Sequence, residues 1–354
     1  MRLVVLFGGR SAEHEVSCVS AASVLAALDR DRYDVWPIAI TGDGHWVRAE
    51  EARAALMAGA GALPPALATV GPRVDPLPEL VASTGDGPTV VFPLLHGPQG
   101  EDGTVQGLLE LAGLAYVGAG VLGSALCMDK AKAKDVLSAA GLPQARHLAR
   151  RGHEVDDHLP ARVGDELGWP VFVKPANLGS SVGISRVGGP DDLGAAVEVA
   201  LAYDEWVVIE EAVTGREIEC GVLGNAELAV SVPGEIIPGA EFYDYDDKYS
   251  GAGAELVVPA VLPDAVADDV GRLAVAAATA LRAEGMARVD FFYEAQGRGL
   301  LVNEVNTIPG FTPQSMYPRL WVASGVPYPE LVDRLVALAL ERHDRRAGRV
   351  GRPR

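Results

Sequence analysis

Hydrophobic positions along the chain change their spacing, and these changes predict alternating strands and helices. The apolar run from Leu3 to Phe7 predicts a buried strand, and Val16 to Leu28 predicts a helix after a two-glycine turn. The same order returns in Val90 to Leu95 and Val105 to Leu111, on either side of a glycine-rich loop. Strands alternating with helices predict an open, Rossmann-like α/β domain at residues 1–126.

Two alternating runs nearer the C-terminus predict an antiparallel hairpin. Ala287 to Tyr293 and Leu300 to Asn306 both alternate like strands, and a turn centred on Gly297 lies between them. Side chains two positions apart on a strand share a face. With the turn at Gly297, Asp290 therefore lies opposite Glu304 on one face of the hairpin.

That face carries a set of oxygen ligands. The facing carboxylates of Asp290 and Glu304 repel each other unless a cation lies between them, and Asn306, opposite Arg288, adds an amide oxygen. Oxygen ligands without His or Cys suit Mg²⁺, which commonly completes its coordination with nucleotide phosphates. An exposed hairpin with scattered charges is the alternative that these residues alone leave open.

A glycine and serine loop upstream predicts a phosphate site. The strand Trp169 to Pro175 ends at Lys174, and the loop Asn177 to Gly183 separates it from a second strand, Ile184 to Val187. Backbone N–H groups of such a loop can converge on an anion, and lysine offers phosphate a compact positive charge. Lys130, which opens a helix, adds a second cation. Each signal alone also fits an ordinary turn, but their order before the carboxylate hairpin favours a nucleotide site.

Composition narrows the class of protein. The 354 residues suit two or three lobes, and a net charge of −18 argues against nucleic acid as a partner. No apolar run reaches the ~20 residues of a membrane span, and residues 1–8 predict a strand rather than a signal peptide. The three widely spaced cysteines predict free thiols in a reducing cytoplasm. The arginine-rich segment from Arg342 to Arg354 predicts a frayed terminus.

Taken in order, the motifs of the chain resemble the D-alanine–D-alanine ligase family of the ATP-grasp superfamily, from about Leu3 to Leu340. The matching segments are Gly8–Ser17, His96–Gly103, Met128–Lys130, Val173–Pro175, Gly179–Gly183, Phe242–Tyr245, Lys248–Tyr249, Arg288–Asp290 and Asn303–Thr312.

The resemblance implies a three-lobed ATP-grasp fold built from α/β and α+β lobes. Changes in composition divide the chain into an N-terminal substrate domain at 1–126, a central lobe with the phosphate loop at 127–223, and a C-terminal lobe at 224–354. The last lobe holds the metal hairpin and a lid at about 235–253. ATP lies between the last two lobes by this resemblance, and the protein is expected to be a cytoplasmic homodimer that binds neither membrane nor nucleic acid.

The implied activity is the ATP-dependent joining of two D-alanines through D-alanyl phosphate, for peptidoglycan precursor synthesis, with two Mg²⁺ ions that Mn²⁺ can replace. By resemblance, catalytic roles fall on Glu13, Ser180, Lys248, Tyr249, Arg288, Gly310 and Ser315. The substrates contact Glu13, His96, Ser180, Tyr243, Arg288, Gly310, Ser315 and Met316. ATP contacts Lys130, Lys174, Gly179, Ser180, Ser181, Glu210, Glu211, Val213, Glu217, Lys248, Phe292, Asn303 and Glu304. The metal ligands are Asp290, Glu304 and Asn306.

Some alternatives stay open. From its position alone, Glu13 is interpreted as a carboxylate that complements the dipole of the following helix. The resemblance implies instead that Glu13 binds the ammonium of the first D-alanine. Glu211 stands where many relatives carry a basic residue, and Met316 where leucine is common. The second substrate could be D-lactate or D-serine, or the chain could be a peptide ligase of specialised metabolism. A non-enzymatic ATP-grasp-like module is a further alternative, which the complete set of lysines and carboxylates disfavours.

Overall fold

Three β-sheets organise the chain in the computed structural model, which describes residues 1–82, 87–238 and 254–349. Its strands are β1 Arg2–Gly8, β2 Asp34–Ile40, β3 Trp46–Arg48, β4 Thr89–Pro93, β5 Ala115–Tyr116, β6 His147–Arg151, β7 Val171–Pro175, β8 Ser185–Val187, β9 Trp206–Glu211, β10 Arg216–Gly224, β11 Leu228–Val230, β12 Gly234–Ile237, β13 Glu255–Val257, β14 Gly285–Glu294 and β15 Gly299–Asn306. Its α-helices are α1 His14–Ala27, α2 Glu50–Ala58, α3 Pro76–Val81, α4 Thr104–Leu111, α5 Val121–Met128, α6 Lys130–Ala139, α7 Leu159–Glu166, α8 Leu193–Leu201, α9 Asp264–Ala280, α10 Met316–Ala323 and α11 Tyr328–Ala347.

The first sheet has the order β3-β2-β1-β4-β5, and β1 pairs in parallel with both β2 and β4. Every residue of β1 is buried, because helices cover both faces of the sheet. Leu3, Val5 and Phe7 face a core that includes α1 and α11, whereas Val4 and Leu6 face a core that includes α3 and α4. The open α/β pattern predicted for the N-terminal region is therefore present.

The last helix departs from its prediction. Segment 342–347 belongs to α11, so the prediction of a frayed terminus is wrong there. Arg342 is 2% exposed and donates hydrogen bonds to the carbonyls of Tyr116, at 2.8 Å, and Gly118. Its guanidinium also lies over the Tyr116 ring, 4.3 Å from the centroid. The end of α11 is ordered because Arg342 satisfies carbonyl groups where β5 ends.

The second sheet has the order β6-β9-β7-β8, with antiparallel neighbours throughout. The strands predicted on either side of the glycine and serine loop are present as β7 and β8. Helices α7 and α8 cover one face, where Val173, Val207 and Ile209 join their core. This sheet therefore holds the predicted phosphate loop between two antiparallel strands.

The third sheet has the order β13-β12-β10-β14-β15, with β11 added to β10. One face packs against α9, in a core that includes Val289, Phe291 and Val305. Strand β9 of the second sheet ends at Glu211. Strand β10 begins at Arg216 and belongs to the third sheet, where it pairs with β14 along its whole length. This change of sheet comes before the lobe boundary predicted at 223/224.

The predicted lid at 235–253 lies mostly outside the described residues. Its first residues, Glu235 to Ile237, form part of β12 and pair with β13, so they belong to the sheet. Among the helices that the structure describes, none is long and apolar enough to cross a membrane.

Candidate active site

The predicted hairpin register is confirmed, and it places three carboxylates side by side. Asp290 of β14 lies directly opposite Glu304 of β15 and also opposite Glu219 of β10. Val289, next to Asp290, points into the α9 core, so the carboxylates occupy the other face of the sheet. We call Glu219, Asp290 and Glu304 the carboxylate row. Directly opposed side chains have β-carbons ~5 Å apart, so the three negative charges of this row require nearby cations.

Arg288 supplies one of these cations. Its Nε and Nη2 donate to the two carboxylate oxygens of Asp290 at 2.8 and 2.7 Å, and its Nε lies 3.0 Å from Glu219 Oε2. Burial opposes the charge, but Asp290 and Glu219 raise the pKa of Arg288 well above its ordinary value. No role was predicted for Glu219 from the sequence, although Glu217 and Glu219 are two positions apart and therefore share one face of β10.

The row itself is acidic. It consists of Glu219, Asp290 and Glu304, and Arg288 forms ion pairs with the first two. The described residues hold no group of three or more His, Cys, Asp or Glu side chains that could bind a metal by themselves. Two carboxylates and the Asn306 amide fit an Mg²⁺ ion that takes its other ligands from phosphates and water. In that fit, Asp290 shares its oxygens with Arg288.

A β-bulge in β15 adds a further polar group to this face. Val302 pairs with Phe291 and Glu304 pairs with Asp290, so Asn303 has no directly opposite residue in β14. Asn303 and Glu304 are consecutive and both half-buried, whereas Val302 is fully buried. The bulge therefore turns two consecutive polar side chains away from the core, which a strictly alternating strand cannot do.

Glu13 is held where three loops meet. Ser180 of the phosphate loop donates a hydrogen bond from its hydroxyl to Glu13 Oε1. The Glu13 backbone is the N-cap of α1, but its side chain makes no capping hydrogen bond. A β-carbon on Gly97 or Gly179 would come within 2.8 or 3.0 Å of Glu13 Oε2. The side chain is thus directed across to the phosphate loop rather than back onto its own helix.

His96 and Glu101 connect the loop after β4 to the segment after β15. His96 Nδ1 lies 2.9 Å from the carbonyl of Ile308, and its Nε2 lies 3.3 Å from the Ser20 hydroxyl. Burial lowers the pKa of His96, which favours the neutral ring. Glu101 accepts from the N–H groups of Gly97, at 2.7 Å, and Ile308, at 3.3 Å.

The Glu101 carboxyl group has an unusual protonation equilibrium. Burial, followed by the nearby charge of Glu13, raises the pKa of Glu101 to about 8. Glu101 belongs to the segment His96–Gly103, but the sequence alone predicts no role for it. The structure shows that it holds the loop on which Gly97 approaches Glu13.

The predicted phosphate loop contains three residues with left-handed backbone conformations. Ser180 and Ser181 have φ values of 50° and 60°, and Gly183 has a φ of 73°. Left-handed φ values are uncommon for residues other than glycine, so their surroundings must enforce them. Lys130 donates from Nζ to the carbonyl of Leu178, which ties the start of α6 to this loop.

A buried ion triad lies beside the loop. Glu210 forms ion pairs with Lys134, at 2.9 Å, and with Lys174, at 2.6 Å, and the three side chains are 4%, 2% and 10% exposed. Burial disfavours the charged carboxylate, but the two ammonium groups outweigh it and lower the pKa of Glu210 to about 2. Lys134 was missed, although it follows Lys130 by one helical turn and so shares its face of α6.

The other residues predicted to contact ATP lie around the junction of the second and third sheets. Glu211 is held by Arg146, whose Nε donates at 2.7 Å, and by Arg298. Val213 is half-buried in the loop after β9. Glu217 and Phe292 lie opposite each other on β10 and β14. The Glu211 carboxylate therefore links the residue before β6 to the turn between β14 and β15.

The residues predicted for the second substrate surround the start of α10. Ser315 is the N-cap of this helix, and its Oγ lies 2.9 Å from Thr312 Oγ1. A β-carbon on Gly310 would lie 3.1 Å from Ser315 Oγ, so Gly310 and Ser315 are close together. Met316 is buried against Ile236. A helix N-terminus next to a serine hydroxyl suits a carboxylate.

Three predicted residues cannot be placed in this geometry. Tyr243, Lys248 and Tyr249 lie outside the described residues, and their roles stay predictions.

Comparison with known proteins identifies the family. The protein-family model described as D-ala D-ala ligase N-terminus matches residues 2–119 of the sequence. The protein-family model described as D-ala D-ala ligase C-terminus matches residues 136–337. A D-alanine–D-alanine ligase of Kineococcus radiotolerans is 51% identical over 365 residues, which cover 96% of this chain and 97% of the relative. That of Geobacillus kaustophilus is 48% identical over 356 residues, which cover 96% and 94%.

Solved structures agree with the sequence relatives. The D-alanine–D-alanine ligase from Coxiella burnetii superposes with a TM-score of 0.82 at 35% identity, covering 98% of this chain and 97% of that one. The VanG D-Ala:D-Ser ligase from Enterococcus faecalis superposes with a TM-score of 0.80 at 34% identity, covering 96% and 99%. The expected ATP-grasp fold is confirmed by these neighbours. The chain belongs to the D-alanine–D-alanine ligase family.

Proposed function

We propose that the protein joins two D-alanines to D-alanyl-D-alanine with conversion of ATP to ADP, for peptidoglycan precursor synthesis. The observation that carries this proposal is the hydrogen bond between Glu13 and Ser180. It places a carboxylate suited to an ammonium group against a loop suited to phosphate. A substrate with its ammonium on Glu13 would thus direct its own carboxylate towards the nucleotide.

The first step is phosphorylation of the first D-alanine, because an amine cannot displace oxide from an unactivated carboxylate. In this proposal Glu13 binds the ammonium, His96 supports the loop beside it, and the product of the step is D-alanyl phosphate. Lys130, Lys174 and the N–H groups of Gly179 and Ser181 contact the ATP phosphates. Glu210, Glu211, Val213, Glu217, Phe292 and Asn303 surround the remainder of the nucleotide.

The carboxylate row is the proposed metal site. Asp290, Glu304 and Asn306 would hold two Mg²⁺ ions, or Mn²⁺ in their place. Bound there, the ions neutralise phosphate charge during phosphoryl transfer. Arg288 offsets the repulsion among these carboxylates, and in this proposal it also contacts the transferred phosphoryl group.

The second step is attack of the second D-alanine's amine on the acyl phosphate. The oxyanion that forms needs fixed donors, and Arg288 and the N–H of Gly310 are the proposed ones. The second carboxylate would lie at the start of α10, on Ser315 and the backbone of Met316. Gly310 and Ser315 both lie in the segment after β15, and His96 and Glu101 hold the start of this segment through hydrogen bonds to the backbone of Ile308.

The lid is proposed to complete the site. Lys248 would contact the γ-phosphate, Tyr243 the substrate, and Tyr249 the Glu13–Ser180 pair. Closure is needed because an acyl phosphate is hydrolysed when water reaches it.

A second candidate, a D-alanine–D-serine ligase, is favoured by one observation, the superposition with the VanG D-Ala:D-Ser ligase. The two candidates share the first step and differ only in the second substrate. A D-alanine–D-lactate ligase is a third possibility of the same kind.

The test is phosphate release from ATP with a panel of D-amino acids and D-hydroxy acids, with products identified by mass. D-alanine alone should give D-alanyl-D-alanine. A product formed only when D-serine or D-lactate is added would overturn the assignment of the second substrate. The proposed homodimer and the proposed lobes are tested separately, by sedimentation and by limited proteolysis.

A further inference from the structure

A cavity of about 470 Å³ lies at the start of β14. It is bounded by the first turn of α5, the end of α9, the turn after β10 and the end of α11. Glu284, just before β14, lies in its wall, and Asp290 of the carboxylate row is ~20 Å further along the chain at a rise of ~3.3 Å per residue. None of its lining residues belongs to the candidate active site.

Arginines dominate the charge of this cavity. They are Arg282, Arg345, Arg346 and Arg349. Arg345 donates to Glu284 at 2.6 Å, and Arg346 is paired with Glu110 and lies 3.5 Å from Glu284. Arg282 and Arg349 are exposed and have no ion-pair partner among the described residues. Four guanidinium groups against two carboxylates leave two positive charges, in a chain whose net charge is −18.

Backbone hydrogen-bond donors lie at the same wall. Gly120 is the N-cap of α5 and provides no side-chain cap, so the first N–H groups of that helix stay available at the wall. A β-carbon on Gly120 would lie 2.8 Å from Arg346 Nη2, so glycine lets the guanidinium approach the helix end.

Helix dipoles alone do not account for this arrangement. Arg345 and Arg346 lie in the last turn of α11, where cations are favourable in any helix. Arg282 follows the end of α9 in a left-handed conformation, with φ 55°, at a position where glycine is usual. The Arg282 side chain lines the cavity from this position.

We propose that this cavity binds a phosphate-bearing small molecule of at least two phosphate groups. Its volume is within the range of small-molecule sites. Arginine forks bind phosphate oxygens bidentately, and a helix N-terminus adds backbone donors. Arg282 and Arg349 make the direct contacts, while Glu284 holds Arg345 and Arg346 in position.

The test is calorimetric titration of the full chain with inorganic diphosphate, after the ATP site is saturated with a non-hydrolysable ATP analogue and Mg²⁺. Saturable binding of diphosphate is expected, and Arg282→Gln with Arg349→Gln should raise its Kd by at least about tenfold. Arg272→Gln is the matched control, because Arg272 is an exposed arginine of α9 that pairs with Asp269 outside the cavity.

Three results would overturn the proposal. They are no second binding event in the unaltered protein, an unchanged Kd in the double variant, and an equal loss of binding in the Arg272→Gln control. Parallel titrations with inorganic phosphate, ADP and citrate identify the ligand class. Tighter binding of ADP than of diphosphate points to a nucleotide, and citrate binding as tightly as diphosphate contradicts phosphate recognition. Both single variants are titrated as well, because each alters one exposed side chain.

Discussion

The carboxylate of Glu13 lies in a space that two glycines keep open. A β-carbon at Gly97 or Gly179 would lie 2.8 or 3.0 Å from Glu13 Oε2, so the carboxylate would have to move away, and Gly97 also has a φ of 76°, which disfavours other residues. The sequence identified the loops but could not place Glu13 against Ser180 by periodicity. That contact joins residues 167 positions apart, and local patterns carry no information about such distances.

Glu13→Gln should raise the KM for the first D-alanine by about 10- to 150-fold, and more than it raises the KM for ATP. The reason is the loss of a charge-assisted hydrogen bond to the ammonium, worth roughly 1.5–3 kcal/mol. Steady-state kinetics with each substrate varied in turn measure both constants. Glu15→Gln, which alters an exposed glutamate of the same helix, is the control. Equal changes in both constants would instead indicate a structural role for Glu13.

Glu101→Gln should change how stability depends on pH. The pKa of Glu101 is raised from 4.5 to about 8 in the folded protein, so between these values the folded state keeps a proton that the unfolded chain releases. This contribution is complete below pH 4.5 and is lost as pH rises towards 8, by at most about 1.4 kcal/mol per unit. A neutral Gln removes this pH dependence, although its single carbonyl oxygen can accept from only one of the N–H groups of Gly97 and Ile308, a loss of stability that does not change with pH.

Denaturant unfolding of both proteins at several pH values between 5 and 8 measures the effect. The free energy of unfolding of the unaltered protein should fall, relative to the variant, as pH rises. A difference between the two proteins that does not change with pH would show that Glu101 titrates in its ordinary range.

At the scale of elements, the hairpin of β14 and β15 was predictable because turn position and strand period together fix a register. The sequence did not show that β10 would lie beside β14, so Glu219 was missed and the charge of the row was underestimated. Nor did it show the bulge at Asn303, which interrupts the period on which the prediction relied.

Glu304→Gln should lower turnover by at least ~10²-fold, because it removes a charged ligand from the proposed metal site. Turnover is measured at saturating ATP and Mg²⁺. Glu294→Gln, which alters a glutamate paired with Arg298 at the hairpin turn, should have little effect. Near-normal turnover of Glu304→Gln at saturating Mg²⁺ would exclude Glu304 as a metal ligand.

Glu210→Gln should lower the free energy of unfolding by about 3–5 kcal/mol. The substitution leaves the ammonium groups of Lys134 and Lys174 buried without their shared carboxylate. Denaturant unfolding compares this variant with Glu205→Gln, which alters an exposed glutamate. A loss below about 1 kcal/mol would mean that water or another group already compensates these lysines.

At the scale of the whole molecule, three sheets bring distant motifs into one site. The first sheet supplies Glu13 and His96, the second the phosphate loop, and the third the carboxylate row. Hydrophobic periodicity predicted individual strands in each sheet, because the strands of one sheet lie near one another in the sequence. It failed for segment 342–347, because an arginine-rich composition resembles a terminus and the burial of Arg342 depends on carbonyls far away in sequence.

In the proposed reaction, one D-alanine is phosphorylated and the amine of a second D-alanine then attacks the acyl phosphate. This order is tested most directly by quantifying ADP and products together, by mass, from ATP with equal D-alanine and D-lactate across pH 6 to 9. We expect one D-alanyl-D-alanine per ADP, at a rate that rises with pH because only the neutral amine attacks. Release of ADP without dipeptide, or mostly D-alanyl-D-lactate at neutral pH, would contradict it.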